Sequence, residues 1–272
     1  MTRPPRFPID LGRMQGGARA SPPGVLRPQR PLQDAAQDAE QQRSAARLVP
    51  AGLGLDSATV RARMVQRLRA DGLRCEPVLD AFQRVERHRF VDTALATQAY
   101  EDTSLPIGLQ QTISKPSVVG RMLSLLFEGE HARHSGSLGR VLEIGTGCGY
   151  QAALLSLLGR SVVSIERLKG LHDKARDTLD DLRSSSLRLV YGDGRLGHSP
   201  YAPYTSIVAA AGGDDVPSAW LDQLAVGGRL IAPTYDAARG GQALLVIDRQ
   251  ADGLVRQWHD AVHFVPLKSG AA

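Results

Sequence analysis

The chain is poor in cysteine. Cys75 and Cys148 are the only two in 272 residues, and they lie 73 positions apart. A disulfide framework or a cysteine-rich metal site needs several thiols at short spacing, so neither is expected. His131 and His134 are three apart in a polar stretch with no further ligand nearby, and no metal site is expected there either. No apolar run approaches the roughly 18 residues that a membrane span requires. The N-terminus lacks the compact apolar core of a secretory leader. A cytoplasmic protein with no membrane partner is the expectation. Several catalytic signatures are also missing. The stretch 192–198 has the outline of a P-loop but places His198 where Lys is required. There is no Gly-x-Ser-x-Gly elbow and no His-Glu-x-x-His helix.

The net charge of +5 is unevenly spread. Residues 1–55 carry eight Arg against four acids, which leaves the rest of the chain near neutral. A near-neutral body is not built to grip a phosphate backbone, so no nucleic-acid partner is expected. The same segment is rich in Pro, Arg, Gln, Ala and Gly. We read residues 1–55 as a disordered basic extension, a solvated tail in the simplest case and a targeting or interaction arm in the other. Within it, residues 35–48 could form a transient helix. Residues 56–272 then form the folded part, which divides into a helical, substrate-side portion (56–139) and a cofactor-binding sheet core (140–272). With 42% hydrophobic residues, the chain can bury a substantial core.

Residues 141–149, Val-Leu-Glu-Ile-Gly-Thr-Gly-Cys-Gly, organise that core. An apolar strand runs into Gly145, Gly147 and Gly149, and a helical pattern starts at Tyr150. Strand, glycine turn and helix open a nucleotide-type crevice, because glycines admit positive φ and let a ligand lie against bare backbone. The helix start adds unpaired N–H groups. Residues 161–165 read as a second buried strand ending at Glu166, which is either a ribose acceptor or a helix N-terminal charge. Cys148 is a reactive thiol or, more simply, a small filler. The third glycine comes one residue too early for a dinucleotide turn. S-adenosylmethionine is therefore favoured over a nicotinamide cofactor, although an oxidoreductase remains an alternative.

Around this centre the periodicity predicts helices from Asp56 or Ser57 to Gly72, with Val60, Met64 and Leu68 inward, and from about residue 76 to 86, with Val78, Leu79, Phe82 and Val85 inward. Arg84, Arg87 and Arg89 read as a solvated face. Residues 90–111 read as loops and short turns. Pro116 opens a helix, and Ser114 just before it either caps that helix or faces the crevice. Residues 128–139 read as a polar linker. Helices at 150–158, 168–182 and 216–224 alternate with strands at 187–191, 206–211 and 229–232, and two more strands cover 242–248 and 254–265. This alternation predicts an α/β fold, a mostly parallel doubly wound sheet with an N-terminal helical subregion. The strand ends at 145–149, Glu166, Asp193 and Ala211 should converge on one edge. Asp193 could serve an adenine amino group or simply its own turn between two glycines.

These segments resemble the protein-L-isoaspartate O-methyltransferases over about residues 57–268. The resemblance rests on Phe90-Val91-Asp92, Leu105-Pro106-Ile107-Gly108, Gln111-Thr112-Ile113-Ser114, residues 141–150, Ser164-Ile165-Glu166-Arg167, Gly192-Asp193-Gly194 and Phe264-Val265-Pro266-Leu267. It implies a Rossmann-like methyltransferase fold that binds S-adenosyl-L-methionine. It also implies transfer of a methyl group to the α-carboxylate of L-isoaspartyl residues in damaged proteins and peptides. The ester then closes to a succinimide unaided. Ser114 maps onto the family's active-site serine. Cofactor binding maps onto Glu143, Gly145, Thr146, Gly147, Gly149, Glu166, Arg167, Asp193 and Gly194, and substrate binding onto Thr112, Ile113 and Pro233. A monomer is expected. Thr205, Gly212-Gly213, Thr234-Tyr235 and Lys115 depart from the family pattern. Thr205 and Tyr235 are the only support for a protein that binds the cofactor without catalysis.

Overall fold

The structure is a computed structural model that describes residues 58–180 and 186–272. The expected basic extension, the cap of the first helix at residues 56–57 and the end of the helix expected at 168–182 lie outside the described residues. Helix α1 (Ala58–Ala70) buries Met64 and Leu68 on one face. It ends where Gly72 takes φ +103°, and the N–H of Leu73 returns to the carbonyl of Leu68. Helix α2 (Glu76–Arg84) has a proline in its first turn and buries Val78, Leu79 and Phe82. Helix α3 (Pro116–Phe127) starts at the expected proline.

Two stretches expected to be irregular are ordered. Residues 105–113 form a hairpin, β1 (Leu105–Gly108) with β2 (Gln111–Ile113). Its turn is made by Leu109 and Gln110, both at positive φ (+49° and +59°). Hairpin turns of this hand ordinarily recruit Gly or Asn, so their absence hid the hairpin. The expected linker at 128–139 contains α4 (Glu130–Ser135), closed by Gly136 in the left-handed region.

The sheet runs in the order β5-β4-β3-β6-β7-β8-β9. Its strands are β3 (Arg140–Ile144), β4 (Ser161–Glu166), β5 (Leu187–Tyr191), β6 (Tyr204–Ala209), β7 (Leu224–Asp236), β8 (Gly241–Gln250) and β9 (Gly253–Ala261). Helices α5 (Tyr150–Leu158), α6 (Lys169–Asp180) and α7 (Ser218–Gln223) connect them. Strands β3 to β7 pair in parallel, and the last two pairings are antiparallel. From β3 the chain goes first to β4 on one side and later to β6 on the other, which opens a crevice beyond the carboxyl end of β3.

Alternation along β3 divides the core. Val141 packs with α1, α2, α3 and α5, whereas Leu142 and Ile144 pack with Trp220 and Tyr204 on the opposite face. Among the boundaries that differ from expectation, three have a visible cause. β7 begins five residues early because its ladder continues through the two glycines to Leu224 opposite Tyr204. β6 stops at Ala209, where the N–H of Ala210 turns to the carbonyl of Ile144. β9 stops at Ala261, and the segment after it leaves the sheet, held by Gln242, whose side chain accepts from the N–H of Phe264 (2.7 Å).

Arg87 overturns the expectation of a solvated face. Arg84 is exposed and Arg89 half-buried, but Arg87 is 0% exposed. The helix ends at Arg84, so Arg87 starts a tight turn (Arg87–Phe90) that points it inward. There it meets an aromatic group in which Tyr150 packs against Phe82 and Phe90, with ring centroids 6.2 and 5.5 Å apart. Phe82 thus joins the helical subregion to α5. Phe82→Ala should lower unfolding stability by about 3–5 kcal/mol, read as an earlier urea midpoint; a midpoint equal to that of the unaltered chain would refute this junction.

Candidate active site

The crevice has a volume of about 410 Å³, within the range of small-molecule and cofactor sites. Its floor is the glycine turn after β3. Gly147 (φ +57°) and Gly149 (φ +92°) need the left-handed region, and a Cβ on Gly149 would stand 2.7 Å from Leu179. The N–H of Gly147 donates to Glu166 Oε2 (2.8 Å), and Glu166 Oε1 accepts from Leu168 N–H (2.9 Å). A single carboxylate therefore fixes the turn and the start of the segment into α6.

Beneath the floor lies a buried polar chain. Thr146 Oγ1 and Ser164 Oγ are 2.6 Å apart, and Ser164 donates to Glu143 Oε2 (2.5 Å). Glu143 faces the same side as Val141 and is 0% exposed. Burial pushes its carboxyl up to about 8, against hydrogen bonding from Ser164, with the charge of Glu166 adding to the rise. Glu143 Oε1 and Gln151 Nε2 make no hydrogen bond with the described residues. Gln151 lines the crevice with its amide nitrogen buried, so the floor presents bare backbone.

One wall is the end of the hairpin, with Thr112 exposed, Ile113 buried and Ser114 half-buried. The capping alternative for Ser114 is resolved by Asp102. Its Oδ1 accepts from Ser117 N–H (2.8 Å) and its Oδ2 from Ser117 Oγ (2.7 Å). Lys115 occupies the cap position without a side-chain bond. The first turn of α3 is thus capped from elsewhere, and the Ser114 hydroxyl does not cap it. The opposite walls come from Glu166, Arg167 and Leu168, from Gly194, from Ala210 and Ala211, and from residues 265–268.

Of the expected site residues, Thr112, Ile113, Ser114, Gly145, Thr146, Gly147, Glu166, Arg167 and Gly194 meet around this crevice. Glu143 lies beneath it, and Gly149 starts α5 behind the turn. Asp193 spends one oxygen on Arg195 N–H (2.8 Å) and the other on Gly270 N–H (2.6 Å). In this structure it anchors its own turn to the C-terminal segment. Pro233 is buried in β7, its carbonyl accepting from Gly213 N–H. Sequence reasoning missed Arg87, Gln151, the hairpin tip and the strap at 265–268. Only the strap carried a signal, the apolar Phe-Val-Pro-Leu run after the last strand.

The departures from the family pattern also find places. Thr205 Oγ1 accepts from Arg140 N–H (2.9 Å) and bonds the carbonyl of Leu138, at the end of the sheet opposite the crevice. Gly212 pairs its backbone with Val265 and Leu267, and a Cβ there would lie 2.5 Å from the Gln242 amide. Thr234 is buried, and Tyr235 is 48% exposed.

The strand order, the glycine turn and the acid closing β4 define the S-adenosylmethionine-dependent methyltransferase class. The profile of the protein-L-isoaspartate(D-aspartate) O-methyltransferase family matches residues 59–272. The chain belongs to that family. It is 60% identical over 267 residues to the protein-L-isoaspartate O-methyltransferase of Methylibium petroleiphilum, covering 98% of this chain and 96% of that relative. The Leptothrix cholodnii enzyme is 55% identical over 284 residues, covering 100% and 97%. Among solved structures, a protein-L-isoaspartate O-methyltransferase superposes with a TM-score of 0.68 at 27% identity, over 77% of this chain and 66% of that one. A Plasmodium falciparum structure described under the same enzyme name, in complex with S-adenosyl-L-homocysteine, gives 0.64 at 21% identity over 76% and 97%, a likeness of fold. Among the described residues no helix is long and apolar enough to cross a membrane, and no cluster of three or more His, Cys, Asp or Glu is placed to hold a metal.

Glu143 generates a pH prediction. Its folded-state value of about 8 lies above its ordinary 4.5. Folding thus retains a proton that the unfolded chain releases. This contribution to stability is complete below pH 4.5 and is lost as pH rises through about 8. Glu143→Gln, neutral at every pH, should gain in Tm relative to the unaltered chain between about pH 5 and about pH 9. A Tm difference that stays flat over that range would show that Glu143 holds no proton.

Proposed function

We propose that the Ser114 hydroxyl orients the substrate carboxylate in the reaction this chain catalyses, methyl transfer from S-adenosylmethionine to the α-carboxylate of L-isoaspartyl residues in damaged proteins. The observation that carries this reading is the release of Ser114 from capping by Asp102, on a crevice wall facing the glycine turn.

When bound, S-adenosylmethionine supplies a methyl group on a cationic sulfonium. The residues present suit it. The backbone of 145–147 gives a floor free of side-chain bulk, and Gly194 lies so close to Ile144 that a Cβ would stand 2.6 Å from it. Glu166 keeps lone pairs for hydroxyl donors beyond its two backbone bonds.

A carboxyl with a pKa around 4 is ionised at neutral pH, so no residue has to take a proton. Ser114 donates a hydrogen bond to one carboxylate oxygen and leaves the other to attack the methyl carbon. A carbon–oxygen bond forms, the sulfur–carbon bond breaks, and its electron pair stays on sulfur. The two opposite charges cancel, so a dry surrounding favours the step. Ile107, Ile113, Leu168, Val265 and Leu267 supply apolar lining. Alignment by the rigid hairpin and turn supplies much of the remainder.

Labelled S-adenosylmethionine offered with an isoaspartyl peptide and its aspartyl twin should label the first alone; equal labelling of both would dismiss the activity. Ser114→Ala should reduce kcat about 10–100-fold, the worth of one hydrogen bond to a charged group. Affinity for S-adenosyl-L-homocysteine should hold, and an unchanged kcat would remove Ser114 from the chemistry.

A further inference from the structure

Arg87 is a fully buried cation outside the crevice lining. Its Nε donates to the carbonyl of Ala99 (2.8 Å). Its Nη2 donates to the carbonyl of Ser114 (2.8 Å) and, more weakly, to that of Thr103 (3.4 Å). Its guanidinium carbon stands 4.8 Å from the ring centroid of Tyr150. Among the described residues no carboxylate forms an ion pair with it. A buried charge met only by carbonyls, with its Nη1 left without a hydrogen-bond partner among the described residues, is costly in solvation, and packing by an apolar side chain would be cheaper. The planar fork does what an apolar residue cannot: it reaches several diverging carbonyls at once.

The identity of those carbonyls is informative. Thr103 lies just before β1 and Ser114 just after β2, so the guanidinium clamps both feet of the hairpin. On its other side it stacks on Tyr150, the first residue of α5 and the immediate continuation of the glycine turn. One side chain therefore joins the substrate wall to the cofactor floor.

We propose that Arg87 is a positioning residue for methyl transfer, locking the backbone of Ser114 so that its hydroxyl meets the carboxylate at a fixed distance from the glycine turn. This rests on the role of Ser114 given above. Arg87 touches neither substrate nor cofactor, and its effect passes through Ser114.

The test is a double-mutant cycle in the full chain, with rates counted per site that binds S-adenosyl-L-homocysteine. Arg87→Lys keeps the charge and loses the fork. It should reduce kcat for an isoaspartyl peptide about tenfold, part of the roughly hundredfold that a full ångström of misplacement can cost. The Kd for S-adenosyl-L-homocysteine should stay within about threefold. In a Ser114→Ala background the same change should reduce kcat less than about threefold, because the residue it positions has gone. Should Arg87→Lys fail to fold, Tyr150→Leu removes the stacking face from the other side and should show the same loss of effect in the Ser114→Ala background. An equal reduction in both backgrounds would overturn the proposal and make Arg87 a packing residue. If Ser114→Ala itself leaves kcat unchanged, the fault lies with the reading of Ser114, and the inference falls with it.

Discussion

The carboxylate of Glu166 accepts backbone hydrogen bonds from Gly147 and Leu168, one with each oxygen. Hydrogen bonds to an ionised acceptor are among the stronger ones a protein makes. Here they tie two segments that leave adjacent parallel strands, β3 and β4, at the same edge. Together with the N–H groups of Gly145 and Thr146, which donate to the carbonyl of Ile165, that tie holds a turn whose glycines lose the most conformational freedom on folding. The open crevice, the bare backbone on its floor and the direction of α5 all follow from a turn held in one geometry.

Two buried ionisable groups flank this turn, and burial acts on each to disfavour its charge. Under the floor, Glu143 is held towards its neutral form, accepting from Ser164, which is in turn bonded to Thr146. Beside the wall, burial pulls the Arg87 guanidinium below its usual range, while Tyr150 and Cys148 oppose that pull. The acid can shed its charge by keeping a proton. The guanidinium stays protonated and is met by carbonyl dipoles. The first arrangement leaves the crevice floor without a second negative charge next to Glu166. The second stiffens the hairpin that carries Ser114. Cys148, in the same turn, is buried, and burial raises its thiol to about 11, so the filler reading describes it better than the reactive one.

The helices and the parallel strands were legible because their signals are local. Met64 and Leu68 recur at helical spacing, and the two prolines open α2 and α3. Val141, Leu142 and Ile144 place apolar side chains on both faces, as a strand buried on both sides requires, with Glu143 the one interruption. Boundaries failed where a long-range bond overrode local pattern. β9 was read too long because Val262, Phe264 and Val265 continue an apolar run, yet the Gln242 side chain draws that run off the sheet. The hairpin was missed because Leu109 and Gln110 occupy a turn that other residues favour. Arg87 was misread because three arginines within six positions resemble a surface, and nothing nearby announces the tight turn that inverts one of them.

The sequence by itself determined the fold class, the glycine turn, the acid that ends β4 and the cofactor type, since each depends on residues adjacent along the chain. It also singled out Ser114 as the residue proposed to orient the substrate, through the motif in which that serine stands. Tertiary structure alone decided what Ser114 is free to do. The choice between cap and crevice turns on Asp102, twelve positions earlier in a different segment, and spacing within one helix start cannot report a partner that arrives from elsewhere. The same holds for Arg87 and Asp193, whose partners are backbone groups of distant segments. A backbone carbonyl or N–H looks alike at every position of a sequence, and only the fold selects which one a side chain meets.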